Sequence, residues 1–101
     1  MIAVSADEMR IIRKILKARV PDCDVLAFGS RVKGTNGKNS DLDIAVSGGG
    51  KLEYGVIGGL RNDFMESDLS FRVDVLDYNA VSESFRKIID AGNEKVFDGK
   101  D

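Results

Sequence analysis

The run Asp41-Leu42-Asp43-Ile44-Ala45-Val46 constrains this chain more than any other feature. Successive side chains of a strand point to opposite faces. Leu42, Ile44 and Val46 therefore form a face that must be buried, and Asp41 and Asp43 share the other. Two carboxylates then stand about 7 Å apart along one strand. A fold that accepts this strand needs a core on one side and a use for paired negative charge on the other.

The rest of the chain supplies that core. Asp24 to Phe28 is short and apolar, as a buried strand is, and Phe71 to Tyr78 reads as a third strand. In that third strand Phe71, Val73 and Val75 share one face, and Arg72, Asp74 and Leu76 the other. Ser5 and Glu8 form a capping box, after which Met9, Ile12, Leu16 and Val20 recur at helical spacing. A helix is predicted from about Ala6 to Arg19, ended by Pro21. Arg10, Arg13, Lys14 and Lys17 make its solvated face, and the later ones suit the helix dipole.

Leu52, Val56, Leu60 and Phe64 predict a second helix from about Leu52 to Glu66, weakened by Gly55, Gly58 and Gly59. Those glycines read either as close helix–sheet packing or as a labile helix. Val81, Phe85, Ile88 and Ile89 predict a last helix, capped by Asn79 and stopped at Gly92. Lys95 to Phe97 can add a short edge strand, and the tail from Asp98 to Asp101 reads as frayed.

The expected fold is α/β (α+β) in the order α-β-β-α-β-α, a small mixed sheet flanked by helices. Residues 1–101 read as one domain, since 101 residues are near the usual size of an independent unit.

Composition excludes much chemistry. The chain has no histidine and one cysteine, Cys23. That removes Ser-His and Cys-His nucleophile pairs, thiolate zinc clusters and any internal disulfide. Cys23 reads as a core or helix–strand junction residue, and Tyr54 and Tyr78 as packing residues. Fifteen basic and seventeen acidic residues give a net charge of −2, which argues against direct nucleic-acid binding. No apolar run approaches the length of a membrane span, and the N-terminus lacks a signal-peptide layout. The expected location is the cytoplasm.

Asp-x-Asp alone is common on solvent-facing strands. Two further features point to chemistry. Asp74 lies in another apolar strand, and if the strands are adjacent Asp41, Asp43 and Asp74 converge. Three such carboxylates repel one another, and a divalent cation removes that cost. Oxygen ligation without histidine or cysteine suits magnesium or manganese and phosphoryl transfer. Upstream, Gly29-Ser30-Arg31-Val32-Lys33-Gly34 closes a buried strand with N–H groups, a hydroxyl and two cations suited to a phosphate. It is not a Walker loop: no glycine stands at the required spacing before Gly37-Lys38, and Asn39 follows.

Gly29-Ser30-Arg31-Val32-Lys33-Gly34, five residues, then Ser40-Asp41-Leu42-Asp43-Ile44-Ala45-Val46 resembles the signature of the DNA polymerase β-like nucleotidyltransferases. The chain is most similar in kind to the minimal nucleotidyltransferases, antitoxins paired with a HEPN-domain toxin. Val73-Asp74-Val75 matches the family's third carboxylate, and Phe85 to Ile89 followed by Gly92 its C-terminal helix.

The resemblance implies a nucleotidyltransferase fold in which Asp41, Asp43 and Asp74 are catalytic and hold two Mg2+ ions, or Mn2+. Asp74 would also help deprotonate the attacking hydroxyl. Gly29 and Ser30 would hold the triphosphate of ATP, with Arg31, Lys33 and Ser40 as further nucleotide-binding residues. Lys33 stands where arginine is more frequent, Val32 where alanine is common, and Thr35 where an acidic residue is frequent.

The implied reaction is transfer of AMP to a tyrosine of the HEPN toxin, as in a type VII-like toxin–antitoxin pair. The alternatives are a non-catalytic binding antitoxin on the same fold, and transfer to a small molecule in a pocket built by a homo-oligomer.

Overall fold

Ser5 and Glu8 exchange the two bonds of a capping box. The Ser5 hydroxyl accepts from the Glu8 N–H at 3.0 Å, and the Glu8 carboxylate accepts from the Ser5 N–H at 2.7 Å. In the computed structural model, which describes residues 2–99, helix α1 therefore spans Ala6–Arg19, the predicted bounds. Its last carbonyls are closed by the Val20 N–H, which donates to Leu16 at 2.7 Å, and Pro21 stops it.

Seven elements follow: β1 (Asp24–Phe28), α2 (Ser30–Lys33), β2 (Leu42–Ser47), α3 (Val56–Met65), β3 (Val73–Asp77), α4 (Glu83–Ala91) and β4 (Asn93–Phe97). The strands form one mixed sheet in the order β3-β2-β1-β4. β1 is antiparallel to both β2 and β4, and β2 is parallel to β3. The α/β class and the mixed, helix-flanked sheet are as expected.

The element order differs from the expected α-β-β-α-β-α at two places. The short helix α2 lies inside the polar stretch read as a loop. Four residues are too few to show a helical period, so no pattern announced it. The last strand is full rather than marginal, because Asn93 to Phe97 pairs along β1.

Boundaries shift for local reasons. α3 starts at Val56, not Leu52, because Gly55 enters the left-handed region at φ +89° and cannot sit inside a helix in that conformation. Leu52 is instead held by its N–H, which donates to Asp77 Oδ2 at 2.9 Å. The cap of α4 is Ser82, whose hydroxyl accepts from the Phe85 N–H at 3.2 Å; Asn79 sits three residues too early and donates its N–H to Asp77 instead.

The tail is not frayed at Asp98 and Gly99. Lys95 reaches Asp98 at 3.7 Å, and the Gly99 N–H donates to Asp24 at 3.1 Å. Lys100 and Asp101 lie outside the described residues.

Strand alternation divides the apolar residues between two faces. Val25, Ala27, Leu42, Ile44, Val46 and Val75 pack under Ile12 and Leu16 of α1 and Leu60 and Phe64 of α3. On the opposite face Phe28 and Ala45 pack with Ile89 of α4, and Phe85 meets Phe28 edge-on at 6.0 Å. The second cluster is much the smaller, so that face keeps room for polar groups.

Two arginines close gaps in the sheet's hydrogen bonding. Arg61 of α3 donates to the Val75 carbonyl of the edge strand β3 at 2.9 Å, and Arg13 of α1 to the Val96 carbonyl at 3.0 Å, where the β1–β4 register shifts. Such contacts blunt open strand edges. Among the described residues no helix is long and apolar enough to cross a membrane.

Candidate active site

β2 and β3 run parallel in a register that sets Asp43 directly beside Asp74. Register partners in neighbouring strands point to the same face. The two carboxylates thus stand together on the sparsely covered face, beside Phe28, which pairs with Asp43 from β1. Asp41 precedes the strand by one residue rather than opening it, and it is exposed.

Asp43 is half-buried, and its carboxyl is pushed above the usual range, first by burial and then by the negative charges of Asp74 and Asp41. The three aspartates therefore share one electrostatic environment. They are not closed into a cage: among the described residues no three acidic, histidine or cysteine side chains stand at metal-cage spacing. The arrangement is an open acidic patch with Asp43 at its centre.

The turn after β1 presses against this patch. Gly29 has φ +81° and ψ −156°, a conformation open only to glycine, and a β-carbon there would collide with Asp43 Oδ2. Ser30 follows as the first residue of α2. The Gly29 carbonyl accepts from Val32 at 3.1 Å and Lys33 at 3.0 Å, so the turn is wound into a helix start whose leading N–H groups lack intrahelical acceptors. Gly29 is thus brought against Asp43, with Ser30 next to it in the chain.

Arg31, Lys33 and Ser40 are placed differently. Arg31 is 5 % exposed. Its guanidinium donates to the carbonyls of Ala3 at 2.6 Å, Ser40 at 2.9 Å and Lys38 at 3.1 Å, and lies 4.0 Å over the Phe71 ring. It is spent on the protein's own backbone, where it ties the N-terminal segment, the turn before Asp41 and the approach to β3 into one unit. The expectation places this guanidinium at the nucleotide; the structure shows it engaged with backbone carbonyls and the Phe71 ring.

Ser40 is a turn residue whose hydroxyl accepts from the Gly37 N–H at 2.8 Å. Lys33 is exposed in the last turn of α2.

Two residues near Asp74 are not among the site residues that the sequence suggests. Arg61 and Arg72 line a cavity of about 500 Å3 that also touches Asp74. Arg72 could have been found, because it lies two residues before Asp74 on the same strand face. Arg61 could not, since α3 approaches β3 only through the fold.

Cys23 does occupy the α1–β1 junction, and burial together with Asp22, Asp24 and Asp77 raises its thiol. Tyr78 packs as expected and donates its hydroxyl to Asp90 at 2.7 Å. Tyr54 does not pack; it is fully exposed in the loop before Gly55.

The family model described as a nucleotidyltransferase domain matches residues 9–98. The chain belongs to that nucleotidyltransferase family. This nucleotidyltransferase is 46 % identical over 86 residues to the probable protein adenylyltransferase MntA of Haemophilus influenzae, covering 85 % of this chain and 75 % of that one.

Among solved structures it superposes with TM-score 0.75 and 26 % identity on a toxin–antitoxin crystal structure with AMP-PNP, over 89 % of this chain and 73 % of that one. A complex of the tri-AMPylated Shewanella oneidensis HEPN toxin with its MNT antitoxin shares the fold at TM-score 0.67 and 24 % identity, over 91 % and 70 % of the two chains. The carboxylate pair and glycine turn thus sit in a nucleotidyltransferase fold.

Proposed function

We propose that this nucleotidyltransferase transfers AMP from ATP to a tyrosine of a HEPN-domain toxin and so acts as its antitoxin in the cytoplasm. The observation that carries the reading is the Asp43–Asp74 pair beside Gly29, with Asp41 in electrostatic reach. The 46 % identity to a protein named as an adenylyltransferase supports the direction of transfer to protein.

The donor set fits a magnesium or manganese ion. It is all carboxylate, and Asp43 carries a burial and repulsion cost that a cation relieves. Asp41, Asp43 and Asp74 would hold two such ions, which when bound supply charge neutralisation at the phosphates.

The chain's own residues do the rest. Gly29 lets the turn lie against Asp43, and the Ser30 hydroxyl and leading N–H groups of α2 receive the triphosphate. Asp74 accepts the proton of the acceptor hydroxyl. The phenolic oxygen then bonds to the α-phosphorus, the bond from that phosphorus to the bridging oxygen breaks, and pyrophosphate leaves. Burial of Arg31 holds Asp41 and the Gly29 turn in fixed relation while this happens.

The test is intact-mass spectrometry of the purified chain and its HEPN-domain partner with ATP and Mg2+. The expected result is an AMP increment on the partner, absent from the Asp41→Asn/Asp43→Asn variant. A stable complex without any increment overturns the transfer and leaves a binding antitoxin on the same fold.

A further inference from the structure

We propose that the groove between α3 and the entry to β3 is where the acceptor segment of the partner protein docks. The occupant is a polypeptide segment that presents a hydroxyl side chain to Asp74 and acidic residues to Arg61 and Arg72. This inference rests on the transferase reading above and names the face through which the acceptor arrives.

The groove encloses about 500 Å3, and its walls include Arg61, Phe64, Met65, Leu69, Arg72 and Asp74. Asp74 is the decisive member. It belongs to the groove, and it is also the register partner of Asp43. Whatever fills the groove lies along the edge strand that carries Asp74, whose carboxylate shares the sheet face of Asp43. A hydroxyl placed there can give its proton to Asp74 as its oxygen bonds to the α-phosphorus and pyrophosphate departs.

The remaining walls select the occupant by charge and polarity. Arg61 spends one N–H on the Val75 carbonyl, which fixes its guanidinium over the edge strand. Among the described residues the rest of its planar fork has no other hydrogen-bond acceptor, and such forks match carboxylates. Arg72 is exposed beside Asp74.

Two arginines lining the same groove as Asp74 complement an acidic segment with a neutral hydroxyl between its charges. Met65 adds an apolar lip; it is 79 % exposed although it sits at the end of α3 beside the core residue Phe64. A flexible thioether on a rim is an adaptable contact for a protein surface.

The experiment compares wild type, Arg72→Glu and Met65→Glu for AMP transfer to the HEPN-domain protein, with KM measured separately for that protein and for ATP. Both altered side chains are exposed, so the fold should survive, and thermal unfolding checks it. The expected result is an acceptor KM raised by about tenfold or more in each variant. KM for ATP and kcat at saturating acceptor should stay near wild type.

An unchanged acceptor KM in both variants overturns the groove as the docking site. A raised ATP KM in Arg72→Glu overturns it as well, by assigning the arginine to the nucleotide phosphates. If wild type transfers nothing, the transferase reading fails. The groove is then judged by the dissociation constant of the two-protein complex, which must weaken by a similar factor in both variants for the docking site to stand.

Discussion

Gly29 lies so close to Asp43 that a single added carbon on the glycine would occupy the space of the Asp43 Oδ2 atom. The contact joins the two halves of the candidate site. On one side is a turn suited to phosphate, on the other a carboxylate suited to a cation. A nucleoside triphosphate needs both at once, because its phosphates are neutralised by metal while backbone groups orient them.

Gly29→Ala tests that closeness. The new side chain must either push Asp43 aside or abandon φ +81° and ψ −156°, and both costs fall on the site. The expected destabilisation is about 1–3 kcal/mol, from the backbone strain alone. AMP transfer should fall by about a hundredfold or more, as it does when reacting groups are misplaced by an ångström. Urea unfolding and a transfer assay on the same preparation measure both.

Two carboxylates should respond to pH with opposite sign. Asp43 is raised by burial, Asp74 and Asp41. In chelator, its stabilising contribution is present below the ordinary value of about 3.9 and is lost as pH rises through its raised value. Asp63 is lowered by its hydrogen bond and charge pairing with Arg19, which holds it at 2.6 Å. Its contribution is present above the ordinary value and is lost as pH falls through its lowered one.

Near neutral pH, Asp43→Asn should therefore raise the Tm of the metal-free chain, and Asp63→Asn should lower it. Added Mg2+ should then raise the Tm of wild type and leave Asp43→Asn unmoved. Differential scanning fluorimetry in chelator and in Mg2+ reads all of these.

Arg31 should behave as a structural group. Its removal leaves three carbonyls without their donor and uncovers Phe71. Arg31→Met should cost about 3 kcal/mol, in the range for losing one partner of a buried charged network. Arg31→Lys should recover only part, since an ammonium cannot reproduce the planar fork. If Arg31 instead gripped the triphosphate, Arg31→Lys would keep its stability and raise the KM for ATP. Equilibrium unfolding beside nucleotide titration separates the two.

The acidic strand and the first helix are legible because they rest on local periodicity and short-range chemistry, whereas the meeting of Asp43 with Asp74 is legible only on the condition that their strands are adjacent. Ser5 and Glu8 mark a helix start three residues apart, and Leu42, Ile44 and Val46 mark a strand face. Strand order was not legible, since nothing in Val73-Asp74-Val75 says which neighbour it chooses. The role of Arg31 was hidden for the same reason. A motif places the arginine beside a phosphate turn, but only the fold brings Ala3, Lys38 and Phe71 around it. Tyr54 misled because an aromatic residue in a half-apolar stretch reads as core, whereas Gly55 ends that stretch's periodicity just ahead of α3.

The glycines of α3 offer a last test, because the two inside the helix sit in different surroundings. A β-carbon on Gly58 would meet nothing within 4 Å. Neither close packing nor a positive φ requires glycine there, so it only weakens the helix. Gly58→Ala should stabilise the chain by about 1 kcal/mol, the propensity difference in a helix interior. On a domain of this size that is roughly 4–8 °C in Tm. Gly59 instead faces Arg19, whose Nη1 would lie 2.7 Å from an added β-carbon. The guanidinium must then swing away, and its two bonds to Asp63, at 2.6 Å and 3.1 Å, break or lengthen. Gly59→Ala should therefore gain less than Gly58→Ala, and Asp63→Asn should remove most of the difference between them. A double-mutant cycle by thermal unfolding measures that coupling, and equal gains from the two alanines would show that Arg19 relaxes without cost.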